Sequence, residues 1–333
     1  MRLTRFTIGL AALFCAASVW AQAPIMIKFS HVVAPDTPKG KAAEYFKKLA
    51  EERTHGRVKV DVYPNSTLYK DKEEMEALQL GAVQVLAPLS SKLTSMGVKD
   101  FQVFDLPYIF DNLDEAHKIT QGPVGKGMLN KLDKLGIAGL AFWDNAFKET
   151  TANRPLRTPA DFKGLKMRIT PSKVIDAQMR ALGANPQVLA FSEVYTALQT
   201  GTVDGEENPT SNISTQKFYE VQKYMTMTNH SFHNYTLVAN KRFWDSLPPD
   251  IRKIMDGVVK DSTDYFNSIA EKDNNDALAE LKKTKMQIVE LTPAEKKAFK
   301  KALAPLHKQF EPLIGKELID AIHHETNWDP STF

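Results

Sequence analysis

The order of strand-like and helix-like segments near the start of the chain constrains the fold more than any other sequence feature. Strands are predicted at 25–30, 57–64 and 83–88, and amphipathic helices at 37–56 and 70–82. Parallel strands need long crossover connections, which helices usually supply. The alternation therefore predicts an α/β fold built on an open sheet with parallel neighbours.

The same pattern restarts in the second half of the chain. Strands are expected at 136–144 and 164–170 and helices at 172–183 and 191–201, and residues 202–208 lead into a further extended segment. Ser192 is a candidate N-cap for the second of these helices. Two α/β units predict two lobes, and a cleft between lobes at the carboxyl ends of strands is the usual ligand site of such folds.

A single long helical pattern occupies residues 248–284. Its apolar side chains recur on one face, at Ile251, Ile254, Met255 and Val258. At about 1.5 Å per residue this helix would be roughly 50 Å long, which is enough to bridge both lobes. The tail after Lys285 is also predicted to be helical, with breaks at proline and glycine.

Length and composition indicate a globular chain with two cores. The chain has 333 residues, of which 43% are apolar and 25% charged, which is ordinary for folded domains of this size. The formal net charge is +3, and no basic stripe or lysine-rich tail is present. A nucleic-acid partner is therefore not expected.

The N-terminus has the three parts of a secretory signal. A basic start at 1–5 precedes an apolar run at 6–20 and the small-x-small site Ala21 to Ala23. The apolar run is shorter than the ~18–20 residues that a membrane span needs. We therefore predict a Sec-type signal peptide at 1–23, cleaved after Ala23, and a periplasmic protein.

Removing the signal changes the charge and the chemistry of the mature chain. Loss of Arg2 and Arg5 leaves 41 basic against 40 acidic side chains, and loss of Cys15 removes the sole cysteine. The mature chain then has no disulfide, no thiol nucleophile and no cysteine metal ligand.

Common catalytic signatures are absent from the sequence. No GxSxG, HExxH or GxxxxGK[ST] pattern occurs, and the glycines of "GPVGKG" at 122–127 do not fit a dinucleotide fingerprint and predict a turn before a helix. We predict no catalytic residue, no cofactor and no enzymatic activity.

Two pairs of polar residues are weak candidates for chemistry. His230 and His233 are spaced i, i+3 among apolar residues, which places at most one of them in a cleft, so no metal site is predicted. Glu206 and Glu207 are adjacent, and adjacent carboxylates in an extended segment point apart and cannot flank one glycosidic bond.

Three cations lie where an anion would bind. Arg168 is near the end of the strand at 164–170, Lys148 follows another strand, and Lys39 precedes the first long helix. Arginine offers a two-pronged donor that matches a carboxylate. The alternation in "GLKMRIT" alone leaves open whether Arg168 meets solvent or a ligand.

Six stretches of the sequence together resemble the solute-binding proteins of tripartite ATP-independent periplasmic (TRAP) transporters, and most closely the branch that binds four-carbon dicarboxylates. The resemblance extends over about 25–325. It is carried by "IKFSHVVAPDTPKGKAAEYF", "VDVYPNSTLYKDKEEMEALQLGAVQ", "FDLPYIF", "GLKMRI", "AFSEVYTALQTGTVDGEENP" and "FYEVQKYMTMTNH".

The resemblance implies a two-lobed periplasmic binding protein fold with hinge strands and one long helix spanning both lobes. Lobe I is expected to comprise 24–145 and about 234–272. Lobe II is expected to comprise 146–233 and about 273–333.

The resemblance also implies a set of ligand-binding residues. Arg168 matches the family arginine that contacts the ligand carboxylate through two bonds, Asn208 matches a hydrogen-bonding asparagine, and Lys148 matches a second basic position. Lys39 would hold the distal carboxylate of a dicarboxylate. Three further residues match cleft positions, namely His31, Ser91 and Phe191.

The function implied is that of a monomeric receptor which captures malate, succinate or fumarate by lobe closure and delivers it to the TRAP permease subunits in the membrane. Two alternatives remain open on the residues alone. One is a secreted enzyme acting on organic acids with His31 or His230 as base. The other is the same fold serving as a ligand sensor for a membrane kinase.

Overall fold

The computed structural model describes residues 23–326 and 328–332. The predicted signal segment, with Cys15, lies outside the described residues except for Ala23. In the part of the chain that is described, no helix is long and apolar enough to cross a membrane.

The described residues form strands and helices in alternation. The strands are β1 Ile25–Ser30, β2 Val58–Tyr63, β3 Val85–Leu86, β4 Ile137–Phe147, β5 Glu149–Ala152, β6 Lys166–Ile169, β7 Asn185–Val188, β8 Gly205–Asn208, β9 Tyr224–Met227, β10 Phe232–Asn240 and β11 Gln287–Glu290. The helices are α1 Pro38–Arg53, α2 Asp71–Leu80, α3 Leu113–Thr120, α4 Pro123–Asn130, α5 Lys173–Ala181, α6 Val194–Gln199, α7 Thr210–Thr215, α8 Lys241–Asp245, α9 Pro249–Leu281, α10 Pro293–Leu303, α11 Pro305–Ile314 and α12 Lys316–Thr326. Short 3-10 segments include Ser90–Met96, Lys99–Asp105 and Phe191–Glu193.

The first sheet has the strand order β2-β1-β3-β10-β4. Strand β1 pairs in parallel with β2 and β3, which confirms the expected parallel neighbours. Strand β10 is antiparallel to both β3 and β4. The antiparallel strands were not predicted, because β10 returns from the second unit and its direction depends on the path of the whole chain.

The second sheet has the strand order β11-β9-β5-β8-β6-β7. Its edge strand β11 pairs in parallel with β9. The prediction of a wholly helical tail after Lys285 is therefore wrong over these four residues. So short a segment carries too little periodicity to identify, and it is extended because β9 offers a partner edge.

Three local predictions also need correction. The strand expected at 83–88 pairs only over Val85–Leu86. Ser192 lies inside the 3-10 segment Phe191–Glu193 and does not cap a helix. The segment 122–127 is the beginning of α4, which starts directly at Pro123.

The glycines of the 122–127 segment allow two helices to pack closely. A Cβ atom on Gly122 would lie 2.4 Å from the Lys118 carbonyl oxygen, and one on Gly125 would lie 2.0 Å from that of Thr120. Any side chain at either position would collide with the end of α3. These glycines therefore serve backbone packing.

The two sheets are joined by a hinge. Strand β4 ends at Phe147 and β5 begins at Glu149, so Lys148 alone links the sheets there. Residues 228–231 make the return connection, and the Lys148 N–H donates to the Ser231 carbonyl oxygen at 2.9 Å. The crossings therefore lie side by side, as hinge strands do.

Helix α9 supplies a further connection. It contains 33 residues and packs against α1 and β4 of the first unit and against α7 of the second. Ile251, Met255 and Val258 are buried, as their spacing predicted. The two-lobed fold with a long helix spanning both lobes is thereby confirmed.

The contact between α9 and β4 is aromatic. Trp143 and Phe266 stack with ring centroids 5.1 Å apart, and both side chains are fully buried. The Trp143 indole N–H donates to Thr263 Oγ1 at 3.0 Å. This stack fixes the long helix against β4, the edge strand of the first sheet.

We expect Phe266→Ala to lower the free energy of unfolding by about 3–5 kcal/mol, because it removes a buried ring and leaves a cavity against Trp143. Lys253→Ala, at an exposed position of the same helix, is the control and should change it by less than about 0.5 kcal/mol. Denaturant unfolding measures both. A loss of under about 1 kcal/mol in Phe266→Ala would show that the stack contributes little.

Candidate ligand-binding site

Lys39 is held at the N-terminus of α1 by a tight local structure. The Thr37 side chain caps the helix by accepting from the Gly40 N–H at 3.1 Å. A Cβ atom on Gly40 would lie 2.4 Å from the Pro35 carbonyl oxygen, so only glycine lets this loop close over the helix start. Helix N-termini attract anions, so a cation placed there strengthens an existing preference for negative charge.

The Lys39 ammonium is buried, and no carboxylate of the described residues lies within ion-pair distance of it. Its Nζ donates to the Ala87 carbonyl oxygen at 3.0 Å and lies 3.9 Å from the centroid of the Tyr235 ring. Burial lowers the pKa of Lys39 to about 7, with Lys92 acting in the same direction and Glu74 and Asp71 opposing it. Burial therefore outweighs the attraction of Glu74 and Asp71 for this charge.

Arg168 lies on β6 and is buried, although the sequence pattern allowed its face of the strand to be exposed to solvent. Only 2% of its surface is exposed, and Met167 and Ile169 are buried on the other face. Its Nε and Nη2 donate to the Leu189 carbonyl oxygen at 3.1 and 2.8 Å. Among the described residues Nη1 has no acceptor, so the outer edge of the guanidinium is available for a carboxylate.

Phe191 defines one side of the Arg168 environment. The Arg168 Cζ lies 5.8 Å from the centroid of the Phe191 ring. The Phe191 N–H donates at 2.7 Å to Asp71 Oδ2, which belongs to α2 of the first unit. The ring beside the arginine is thus held in place by a contact that crosses between the lobes.

The third cation, Lys148, is fully compensated within the hinge. Its Nζ lies 3.0 Å from Glu207 Oε1 and 3.9 Å from Asp105 Oδ1. The His230 Nε2 donates to the other oxygen of Glu207 at 2.8 Å. Burial alone would raise the pKa of Glu207, but Lys148 and His230 outweigh it and hold the pKa at about 2.

Asn208 ends β8, next to Glu207 in sequence. Its Nδ2 donates to Glu206, and its Oδ1 accepts from Asn212 Nδ2 at 3.0 Å. Burial raises the pKa of Glu206 to about 7, opposed by the bond from Asn208 and the charge of Arg168. The adjacent glutamates therefore have separate partners, as the expected divergence of their side chains implied.

A second buried ion pair, within the first unit, holds the carboxylate to which the Phe191 N–H donates. Lys92 pairs with Asp71, and both side chains are almost wholly buried. Burial raises the pKa of Asp71, but Lys92 and the Phe191 N–H more than offset this and hold it at about 2. Ser172 of the second unit also bonds Asp105 of the first at 2.7 Å.

His31 and Ser91 lie at the ends of first-sheet elements that face this interior. His31 follows β1, and burial followed by the charge of Lys39 lowers its pKa to about 3, so it is neutral. Ser91 lies in the 3-10 segment after β3, and among the described residues its buried Oγ has no hydrogen-bond partner. Both side chains are about 1% exposed.

The four buried cations fall into two classes. Lys92 and Lys148 each have a carboxylate within bonding distance. Within the described residues, Lys39 and Arg168 have none and rely on backbone carbonyls. One uncompensated cation thus belongs to each lobe. The charges of all four act with burial to lower the pKa of His233.

The structure brings all seven predicted residues into buried positions, and it adds others that the sequence did not reveal. Asp71, Glu74 and Lys92 are buried although their segments look like ordinary charged helix and loop surface. Burial raises the pKa of Glu74 to about 8. No periodic signal distinguishes these residues, because the groups that act on them are distant in the chain: Asp71 bonds Lys92 and the Phe191 N–H, and the charges of Lys92 and Lys39 act on Glu74. Among the described residues no group of three or more His, Cys, Asp or Glu side chains could hold a metal ion.

Comparison with known proteins agrees with the geometry. The model of bacterial extracellular solute-binding protein family 7 (DctP) matches residues 29–313. The chain is 56% identical over 321 residues to the C4-dicarboxylate-binding periplasmic protein DctP of Rhodobacter capsulatus, covering 96% of each chain.

Solved structures of similar proteins share the fold. A TRAP periplasmic solute-binding protein of Shewanella oneidensis with bound succinate is 43% identical, with a TM-score of 0.89 over 91% of this chain and 100% of that one. A protein of the same description from Pseudomonas aeruginosa with bound L-malate is 44% identical, with a TM-score of 0.84 over 86% of this chain and 100% of that one.

The two classes of buried lysine predict opposite effects of the same substitution. Lys39→Met removes an uncompensated charge and should raise the midpoint of thermal unfolding of the ligand-free protein. Lys148→Met leaves Glu207 without its main counter-ion and should cost about 3–5 kcal/mol. Thermal and denaturant unfolding measure the stability of the two variants, whose substituted lysines are equally buried in the wild type. Loss of stability in both variants would show that Lys39 is also compensated.

The effect of Lys39→Met should depend on pH. The folded chain holds the Lys39 pKa near 7, against 10.5 for the free side chain, so the unfolded state binds the extra proton between these values. Stability of the wild type therefore rises with pH across this window. The advantage of Lys39→Met should shrink between about pH 7 and about pH 10. An advantage independent of pH would contradict the assignment.

Proposed function

The chain belongs to the DctP family, family 7 of the bacterial extracellular solute-binding proteins, and on that premise we propose that it captures a four-carbon dicarboxylate between its lobes for a TRAP transporter. The R. capsulatus relative is named for such ligands, and similar structures hold succinate and L-malate. Their likeness supports the ligand class, and the charges of this chain supply an independent argument.

One observation carries the proposal: two buried cations, one in each lobe, have no carboxylate partner among the described residues. A buried charge is costly unless it is paired. Lys39 and Arg168 therefore call for two negative charges in the interior. A dicarboxylate supplies two carboxylates on one short chain, and a single molecule can then bridge the lobes.

The roles of the predicted residues follow from their contacts. Arg168 presents its free edge to one carboxylate, and Lys39 with the α1 N-terminus binds the other. Asn208, His31, Ser91 and Phe191 complete the walls. Lys148, whose charge is held by Glu207, borders the ligand from the hinge and fixes the crossing between the sheets.

The energies are sufficient for useful affinity. A hydrogen bond to a charged group contributes about 1.5–3 kcal/mol, and a micromolar dissociation constant needs about 8 kcal/mol. Contacts to two carboxylates can reach this value after the entropy of closing the lobes and ordering the ligand. Closure without an anion would bury two uncompensated cations, so the ligand itself makes closure favourable.

The proposal includes the place and partners of the protein. We take it to be periplasmic and monomeric, and to deliver its ligand to the TRAP permease. Lobe I would comprise 24–145 and about 234–272, and lobe II 146–233 and about 273–333. Because β4 continues to Phe147, the pivot of this division lies at Lys148.

The environments of His31 and His230 fit a solute carrier better than an enzyme. His230 is bonded to Thr228 and Glu207 through its two ring nitrogens, and burial with the charge of Lys39 lowers the pKa of His31 to about 3. Neither environment suits a general base near neutral pH. Proton NMR of bound malate or fumarate over hours tests this directly. Conversion of either acid would favour the enzyme.

We expect Arg168→Met to weaken succinate binding by more than about a hundredfold, since it removes a charge-assisted bidentate contact. Isothermal titration calorimetry measures the affinity, and circular dichroism checks the fold. Lys253→Ala is the control for a surface cation. An affinity within about threefold of the wild type would disprove the clamp, because threefold is less than about 1 kcal/mol.

Lys39→Met should act on one carboxylate only. It should weaken succinate binding by tenfold or more while changing the affinity for butyrate, which has one carboxylate, by less than about threefold. Titration of both acids into the wild type and the variant gives the comparison. Equal losses for the two acids would place Lys39 away from the distal carboxylate. Failure of the wild type to bind any organic acid would overturn the proposed function as a whole.

A further inference from the structure

His233 has hydrogen-bonding capacity that the structure leaves unused. It lies on β10, is 5% exposed, and neither ring nitrogen has a partner among the described residues. Its ring meets the Tyr235 ring edge to face, with centroids 4.9 Å apart. Lys39 lies over the same tyrosine ring, so His233 belongs to the Lys39 side of the interior.

The imidazole is neutral in this setting. Burial, reinforced by the charges of Lys148, Lys39, Lys92 and Arg168, holds the pKa of His233 well below 6.5. A neutral imidazole has one N–H donor and one acceptor nitrogen. A buried imidazole that makes neither hydrogen bond is unfavourable, so each ring nitrogen requires a partner.

In the described part of the chain, no group donates a hydrogen bond to a ring nitrogen of His233. Each of the four surrounding cations donates to another group, namely Ala87 O for Lys39, Asp71 for Lys92, Glu207 for Lys148 and Leu189 O for Arg168. A carboxylate offers acceptors only, so succinate or fumarate can satisfy the N–H but not the acceptor nitrogen. A hydroxyl group offers a donor.

We propose that His233 makes the site selective for 2-hydroxy dicarboxylates over their unsubstituted counterparts, with the ligand hydroxyl donating to its acceptor nitrogen. The inference rests on the proposed function, since it concerns the same interlobe site. Lys39 and Arg168 bind the two carboxylates, and His233 recognises the hydroxyl group on the carbon chain between the carboxylates. Among the described residues His31 also has two unpartnered, buried ring nitrogens, but its ring packs edge to face on Phe29, whereas His233 packs on Tyr235, the ring over which Lys39 lies.

The first experiment compares L-malate with succinate by isothermal titration calorimetry. Wild type should bind L-malate about three- to tenfold more tightly, the value of one neutral hydrogen bond. His233→Leu should abolish this ratio, so that L-malate and succinate bind with equal affinity. His233→Gln, which keeps a donor and an acceptor, should retain part of the preference. His324→Leu, at an exposed histidine, is the matched control.

The outcomes separate the inference from the proposed function. Equal affinities of wild type for L-malate and succinate, or an unchanged ratio in His233→Leu, would overturn the role of His233 while leaving dicarboxylate binding intact. Absence of binding of either acid to wild type would instead overturn the proposed function.

A second measurement needs no variant and remains decisive if His233→Leu does not fold. Nitrogen-15 NMR of the histidine side chains reports hydrogen bonding at each ring nitrogen of the wild-type protein. The signal of one unprotonated histidine nitrogen should move when L-malate replaces succinate, and the His233→Gln spectrum should lack that signal. Identical histidine spectra for the two ligands would contradict the proposed hydrogen bond.

Discussion

The burial of Lys39 and Arg168 without carboxylate partners is the constraint on which the rest of the structure depends. Arg168 is approached from the opposite lobe by the charge of Asp71, whereas the Ala87 carbonyl oxygen and the Tyr235 ring that contact Lys39 belong to its own lobe. The charges of Lys39 and Arg168 make the closed interior stable only when an anion of matching charge is enclosed. The structure can therefore couple ligand charge to lobe closure without a separate switching element.

The hinge obeys a different rule from the ligand site. Lys148 is as deeply buried as Lys39, but Glu207 lies 3.0 Å from its Nζ and is itself held by His230. A compensated triad of this kind defines geometry and does not demand a further anion. Two lysines of equal burial thus have different roles, and the difference is whether a carboxylate lies within bonding distance.

Local sequence predicted the elements better than the connections between them. The amphipathic period of α9 and the alternation of β1 and β2 were sufficient to locate them, because each buries one face in a nearby core. The short strand β11 and the antiparallel direction of β10 were missed, since both depend on an edge supplied by a distant part of the chain. The glycines of 122–127 suggested a turn, but they serve the packing of α4 on α3.

The sequence by itself determined the α/β class, the division into two α/β units and the family, because hydrophobic period and motif order are local properties. It also identified Arg168, Lys39 and Lys148 as candidates through their positions at strand and helix ends. Only the tertiary structure decided which of these cations is compensated. Charge pairing depends on which carboxylates the other lobe and the hinge bring within bonding distance. For Arg168, the alternation of its strand left open whether the side chain meets solvent or a ligand. The tertiary structure shows it buried, with one edge of the guanidinium free to donate.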